Sequence, residues 1–152
     1  MSTEIGIINR QLLPANKVAT ANIVLATLGL SFPIAANAKA HLKFWLPFTE
    51  AGTAAGIAFE LLTPAAGVLY LLSFFITNLV ATHVATDNAG LQTAAAAFTG
   101  TGANAGNYLA VVEATIFNGV NAGNLDLQFA QKVSDAGATT VLEGGYAEIV
   151  YL

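Results

Sequence analysis

Apolar and polar positions alternate with a period of two through most of this chain, the pattern of β-strands with one buried face. In residues 40–48, Leu42, Phe44, Leu46 and Phe48 alternate with His41, Lys43 and Trp45, so one face suits a core. Pro47 within that run predicts an edge strand or a strand end, because proline lacks the N–H that a sheet ladder needs. Residues 50–56 form a turn-rich break. Ile57, Phe59 and Leu61 then alternate with Ala58, Glu60 and Leu62, and residues 77–86 read as a further strand. The clearest alternation lies in residues 108–117, where Leu109, Val111, Glu113, Thr115 and Phe117 oppose Tyr108, Ala110, Val112, Ala114 and Ile116. Leu125, Leu127 and Phe129 oppose Asp126, Gln128 and Ala130, and residues 146–152 alternate again.

Asn- and Gly-rich segments separate these runs at 118–124, 134–137 and 143–145. Both residue types tolerate the positive φ that tight turns require. Short strands spaced by such turns predict an all-β protein, an antiparallel sandwich or barrel. Residues 91–98, with four consecutive alanines, are the one segment that reads as helix, and residues 99–107 read as a surface loop. Residues 1–35 alternate weakly and contain Pro14 and Pro33. Two readings stand for them: an N-terminal arm that extends from the sandwich and orders on a neighbouring subunit, or the first strands of the same sandwich. The sandwich domain proper is expected over residues 36–152.

Composition narrows the class. The 152 residues fit one domain, or one domain with an arm. They are 55% hydrophobic and 9% charged, against roughly 25% charged in an ordinary soluble domain. Thirty alanines supply much of the apolar content, while 11 asparagines and 15 threonines carry most of the polar surface. Disorder, which needs low hydrophobicity and high net charge, does not fit. The absence of cysteine removes disulfide-stapled and Cys-zinc domains. A net charge of −4 with a pI near 4.9 argues against nucleic acid as a partner. What survives is a membrane protein, or a subunit that hides much of its surface against neighbours. The charge is also split along the chain: residues 1–43 carry +3 and residues 44–152 carry −7. Such asymmetry suggests parts that face different partners.

Two segments imitate targeting signals. Arg10 and Lys17 precede an apolar run over residues 21–36, followed by Ala36-Asn37-Ala38, the outline of a secretory signal. The long basic region, the interruptions at Asn22 and Thr27, and Pro33 argue against cleavage. Residues 61–82 are uncharged and long enough to span a bilayer as a helix, which takes about 20 residues. Pro64-Ala65-Ala66-Gly67 punctuates that stretch, aromatic and branched residues dominate it, and no Lys or Arg lies close enough to set an orientation. One or two buried strands are expected there, and no membrane partner.

Little in the sequence points to catalysis. His41 and His83 each fall on an expected strand without a second ligand at metal spacing, and no HExxH, GxSxG or P-loop pattern occurs. Gly100, Gly102 and Gly106 approximate a dinucleotide fingerprint, but the third glycine comes one residue late and no strand is expected before it. None of Ser2, Ser31, Ser73 and Ser134 adjoins a histidine. Glu60, Asp126 and Glu148 fall opposite the bulky residues of their strands, as solvated charges do. Glu113 shares its face with Leu109, Val111 and Phe117, which suits a sheet-edge charge, an interface pair or a misjudged face. No catalytic residue, cofactor or metal site is expected. Phe44, Trp45, Phe48, Phe59, Tyr70, Phe74 and Phe75 crowd the first half of the sandwich, more aromatics than one small core uses, and a surplus suits an oligomer interface.

The C-terminal third carries a resemblance. The strand at 108–117, its Gly-rich turn, the strand Leu125-Asp126-Leu127-Gln128-Phe129-Ala130-Gln131, the loop containing Ser134, and the closing Gly144-Gly145-Tyr146 resemble the end of a group of tailed-bacteriophage virion proteins. Leu46-Pro47-Phe48 and Ile57-Ala58-Phe59-Glu60 resemble earlier strands of the same sandwich. Gly145 stands where that group commonly has serine. The resemblance implies a jelly-roll-like β-sandwich and a non-enzymatic virion component: a capsid decoration (cement) subunit on the phage head, a homotrimer whose partner is the major capsid protein. On that basis the positive N-terminal region would be an arm laid over acidic capsid subunits. A tail-fibre or receptor-binding module, using residues 99–107 and 118–124 to hold a host glycan, is the alternative within the group. A small membrane protein spanning through 61–82 and a lectin-like or hydrolytic jelly roll are the alternatives outside it.

Overall fold

The computed structural model describes residues 6, 8–52, 56–64, 69–78, 83–92, 97–99 and 105–152. These residues form strands and no helix. The strands are β1 (Ile8–Leu12), β2 (Lys17–Ala19), β3 (Ala26–Ile34), β4 (Lys39–Glu50), β5 (Ile57–Leu62) and β6 (Leu69–Asn78). They continue with β7 (His83–Gln92), β8 (Ala97–Thr99), β9 (Gly106–Phe117), β10 (Gly123–Gln131), β11 (Thr139–Val141) and β12 (Tyr146–Tyr151). The larger sheet runs β1-β12-β4-β9-β6-β7, with β11 beside β4 beyond the end of β12 and β2 beside β11. The smaller sheet runs β3-β10-β5-β8. Every pairing between described strands is antiparallel.

The two sheets pack face to face over one core. Leu28, Leu30, Phe32, Ile34, Ile57, Phe59, Leu61, Leu125, Leu127 and Phe129 come from the smaller sheet. Leu42, Phe44, Leu46, Phe48, Val112, Ile116 and Ile149 come from the larger one, with Ala40, Ala110, Ala114 and Ala147 between them. The register shows why alanine is needed there. Leu42 lies opposite Ala114, Leu46 opposite Ala110, and Phe44 between Val112 and Ala147. Small residues beside large ones let the facing layers interdigitate at native density. Among the described residues Phe32, Phe44, Phe48 and Phe59 are the largest wholly buried side chains.

Several expectations are corrected. Residues 8–34 do not extend as an arm: β1 pairs with β12, β2 with β11 and β3 with β10, so they are the first strands of the sandwich. Pro47 lies inside the 12-residue β4 rather than at an edge. It is tolerated because its neighbour on one side changes there from β12 to β11. The intervening turn is closed by Leu142, whose N–H donates to the Pro47 carbonyl at 2.8 Å. Residues 91–92 and 97–99 are strand, not helix, and 93–96 lie outside the described residues. The single strand expected over 77–86 is instead the end of β6 and the start of β7, with 79–82 outside the described residues. Of the spanning-length run 61–82, Leu61 and Leu62 end β5 and residues 69–78 form β6, an interior strand paired on both sides. No described helix is long and apolar enough to cross a membrane. In the segment read as a loop, Thr99 ends β8 and Gly106 begins β9, while 100–104 lie outside the described residues.

Candidate interaction face

The outer face of the larger sheet is ordered in rows that run across the strands. Leu12, Tyr146, Trp45 and Val111 occupy one register across β1, β12, β4 and β9. Trp45 and Tyr146 stack with ring centroids 4.5 Å apart, and Leu12 is 70% exposed. The next row is Arg10, Glu148, Lys43 and Glu113, a ladder of alternating charge. Arg10 Nε donates to Glu148 Oε2 at 3.0 Å, Lys43 pairs with Glu113, and the Lys43 ammonium lies 4.4 Å from the Trp45 ring centre. A third row holds Ile8, Val150, His41 and Thr115. Pro47 and Leu109 continue the apolar surface beyond Trp45 and Val111.

The smaller sheet presents a different outside. Thr27, Gly29, Ser31 and Pro33 of β3, Asn124, Asp126 and Gln128 of β10, and Glu60 and Leu62 of β5 face outward there. That surface is an ordinary solvated face. Aromatic and arginine-bearing surfaces, by contrast, are characteristic of contacts between proteins.

These rows resolve the charge split. Two of the four positive charges of residues 1–43 meet negative charges of the C-terminal half across one sheet, as Arg10–Glu148 and Lys43–Glu113. They do not mark a separate positive arm. Glu113 belongs with Leu109 and Val111 on the outside, because Tyr108, Ala110, Val112, Ala114 and Ile116 face the core. Its apolar companions are surface residues. Judged by hydrophobicity alone, the two faces of β9 would be exchanged.

The residues considered for chemistry are not brought together. His41 Nδ1 lies 3.4 Å from Thr115 Oγ1, whereas His83 is in register with Thr77, which lies opposite Leu109, six residues along β9 from Thr115. Ser31 is bound by its backbone to the Gln11 side chain, Ser73 lies in β6, Ser134 is exposed, and Ser2 lies outside the described residues. Gly106 opens β9, and Gly100 and Gly102 lie outside the described residues. No group of three or more His, Asp or Glu side chains able to hold a metal occurs among the described residues.

One titratable residue escaped the sequence reading. Glu50, the last residue of β4, is only 3% exposed. Burial pushes its carboxyl up to about 7; the Gly56 N–H, donated to Oε2 at 3.0 Å, opposes that rise, and the nearby Asp135 carboxylate adds to it. Among the described residues Oε1 has no hydrogen-bond partner, nor has Thr139 Oγ1, on the residue opposite Glu50 in β11. The surrounding loop is tightly built. Gln131 Nε2 donates to the Gly137 carbonyl at 2.6 Å, and its Oε1 accepts the N–H of Asn22 and of Asp135. A Cβ on Gly137 would lie 2.3 Å from the Gly52 nitrogen, so only glycine permits this approach of the two loops. No sequence pattern marks Glu50, because its surroundings include Asp135 and Thr139, which are distant from it in sequence.

At the opposite end, Asn118 holds the turns together. Its Nδ2 donates to the carbonyls of Ala35 at 2.7 Å and Asn121 at 2.8 Å. Gly144 adopts a φ of +79°, and a Cβ on Gly145 would meet the Leu142 carbonyl at 3.3 Å and Pro47 at 3.4 Å. A side chain at position 145 would be crowded.

No family model matches the chain, and no curated protein matches it. Among solved structures it is similar to the infectious bursal disease virus Gt strain particle, at 14% identity and a TM-score of 0.25, covering 99% of this chain and 38% of that one. It is also similar to the VP2 subviral particle of the same virus (12%, TM-score 0.26, 99% and 37%). The T13 particle of that virus gives 11%, a TM-score of 0.28, 99% and 40%. The chain thus spans about two-fifths of the length of those proteins, and at these scores nothing is carried over from them.

Proposed function

We propose that this protein is a non-enzymatic structural subunit of a virion: a capsid decoration subunit that binds the major capsid protein on a phage head as an oligomer. The outer face of the larger sheet carries this reading, since its stacked Trp45 and Tyr146, exposed Leu12 and Ile8, and internally neutralised charges have the make-up of a subunit interface. Two further points support it. The strand order β1-β12-β4-β9 facing β3-β10-β5-β8, with β6 and β7 added as an antiparallel pair, supports the jelly-roll reading. The stretches that resemble phage virion proteins form β9, β10 and the turn from β11 into β12, with parts of β4 and β5. A decoration subunit acts by mass action: binding the assembled lattice alone lowers the free energy of that state.

Co-sedimentation tests the proposal. Purified protein added to heads that lack it is expected to pellet with them and to saturate at a fixed ratio of copies to capsid subunits. Protein that pellets with host cells and not with heads would replace this reading by that of a receptor-binding module.

A further inference from the structure

We infer that the outer face of the larger sheet receives the same face of a second copy of this chain, about a two-fold axis that lies in the face, parallel to the strands and midway between β12 and β4. This deepens the interface reading above by naming what covers that face; it concerns pairing of copies, not capsid binding.

The order of charges selects the partner. Across β1, β12, β4 and β9 the ladder reads Arg10, Glu148, Lys43, Glu113, plus and minus in alternation over an even number of strands. Rotation about the stated axis reverses that order. Arg10 then faces Glu113 of the second copy, and Glu148 faces its Lys43. All four positions become complementary at once. The adjacent row obeys the same operation, with Tyr146 over Trp45 of the second copy and Leu12 over its Val111. An axis perpendicular to the strands through the charged row would set Arg10 on Arg10 and Glu148 on Glu148, so like charges exclude it. Two twisted sheets packed in the aligned manner, about 10 Å apart, provide the required geometry. A symmetric pair formed from one patch on each subunit is also the commonest kind of association between identical chains.

The same ladder supplies a test that leaves the subunit's composition intact. The double variant Lys43→Glu with Glu113→Lys keeps the ion pair between β4 and β9 and the net charge of −4. Its ladder reads plus, minus, minus, plus, which the two-fold sets like against like at every position. Adding Arg10→Glu with Glu148→Arg restores alternation and, with it, complementarity. Sedimentation measures the mass of each form, and circular dichroism confirms that each folds. The parent is expected to be an even-numbered oligomer, and the double variant should show half its mass, with association weakened at least ~10-fold. The quadruple variant should recover the parent's mass. A monomeric or trimeric parent, or a folded double variant of unchanged mass, would overturn the inference. A trimer insensitive to the swap would still accord with the decoration role while removing this contact.

Discussion

Truncation of Phe48 to alanine is expected to destabilise the fold by about 3–5 kcal/mol, the range found for wholly buried aromatic side chains. Phe48 is 0% exposed and lies in β4 between Val141 and Tyr108, stacked on the Tyr108 ring with centroids 5.1 Å apart. It stands where three strands converge, so the neighbours that would have to fill the gap are fixed by ladders on both sides. Domains of this size are stable by roughly 5–15 kcal/mol in total. The variant should therefore lose a large share of its stability, read as a fall in the denaturant midpoint at unchanged slope. A loss below about 1 kcal/mol would mean that the two sheets do not meet at Phe48.

The second large effect concerns acidity. Glu50 titrates near 7 in the folded chain against 4.5 for an ordinary glutamate, because burial disfavours its charged form. Between those values the folded state holds a proton that the unfolded state has released. Stability should therefore fall as pH rises from about 4.5 to 7 and level off above that, a loss of about 3 kcal/mol from this group. Glu50→Gln cannot ionise and should be more stable than the parent at pH 8, with a flattened profile between pH 5 and 7. Asp135 is the acidic neighbour that raises the Glu50 carboxyl further. Denaturant titrations of both proteins across this range decide the matter. Parallel profiles would show that Glu50 is solvated in the folded protein.

The sandwich was legible wherever a strand buries one face and exposes a polar one. β4, β10 and β12 carry that contrast in Phe44 against Lys43, Leu127 against Asp126, and Ile149 against Glu148. β9 does not. Its buried side is alanine-rich because Leu42 and Leu46 of β4 need the room, while Leu109 and Val111 lie outside. Hydrophobicity alone inverts such a strand. The first three strands were obscured for another reason: β1 and β3 lie at sheet edges, where Leu12 and Ile8 are exposed and Gly29 and Pro33 interrupt the pattern. The charge split pointed to an arm because sequence shows the signs and not their pairing. Arg10 and Glu148 are 138 residues apart and in contact. The interaction face was legible only as a surplus of aromatics and a shortage of charge, since its rows exist only once four strands distant in sequence are set in register.

The claim that this chain is a structural subunit of a virion head is tested most directly by electron microscopy of the particle that carries it. Density for the sandwich should recur at equivalent sites over the whole head lattice in hundreds of copies. A few copies at the tail, or none on the particle, would contradict it.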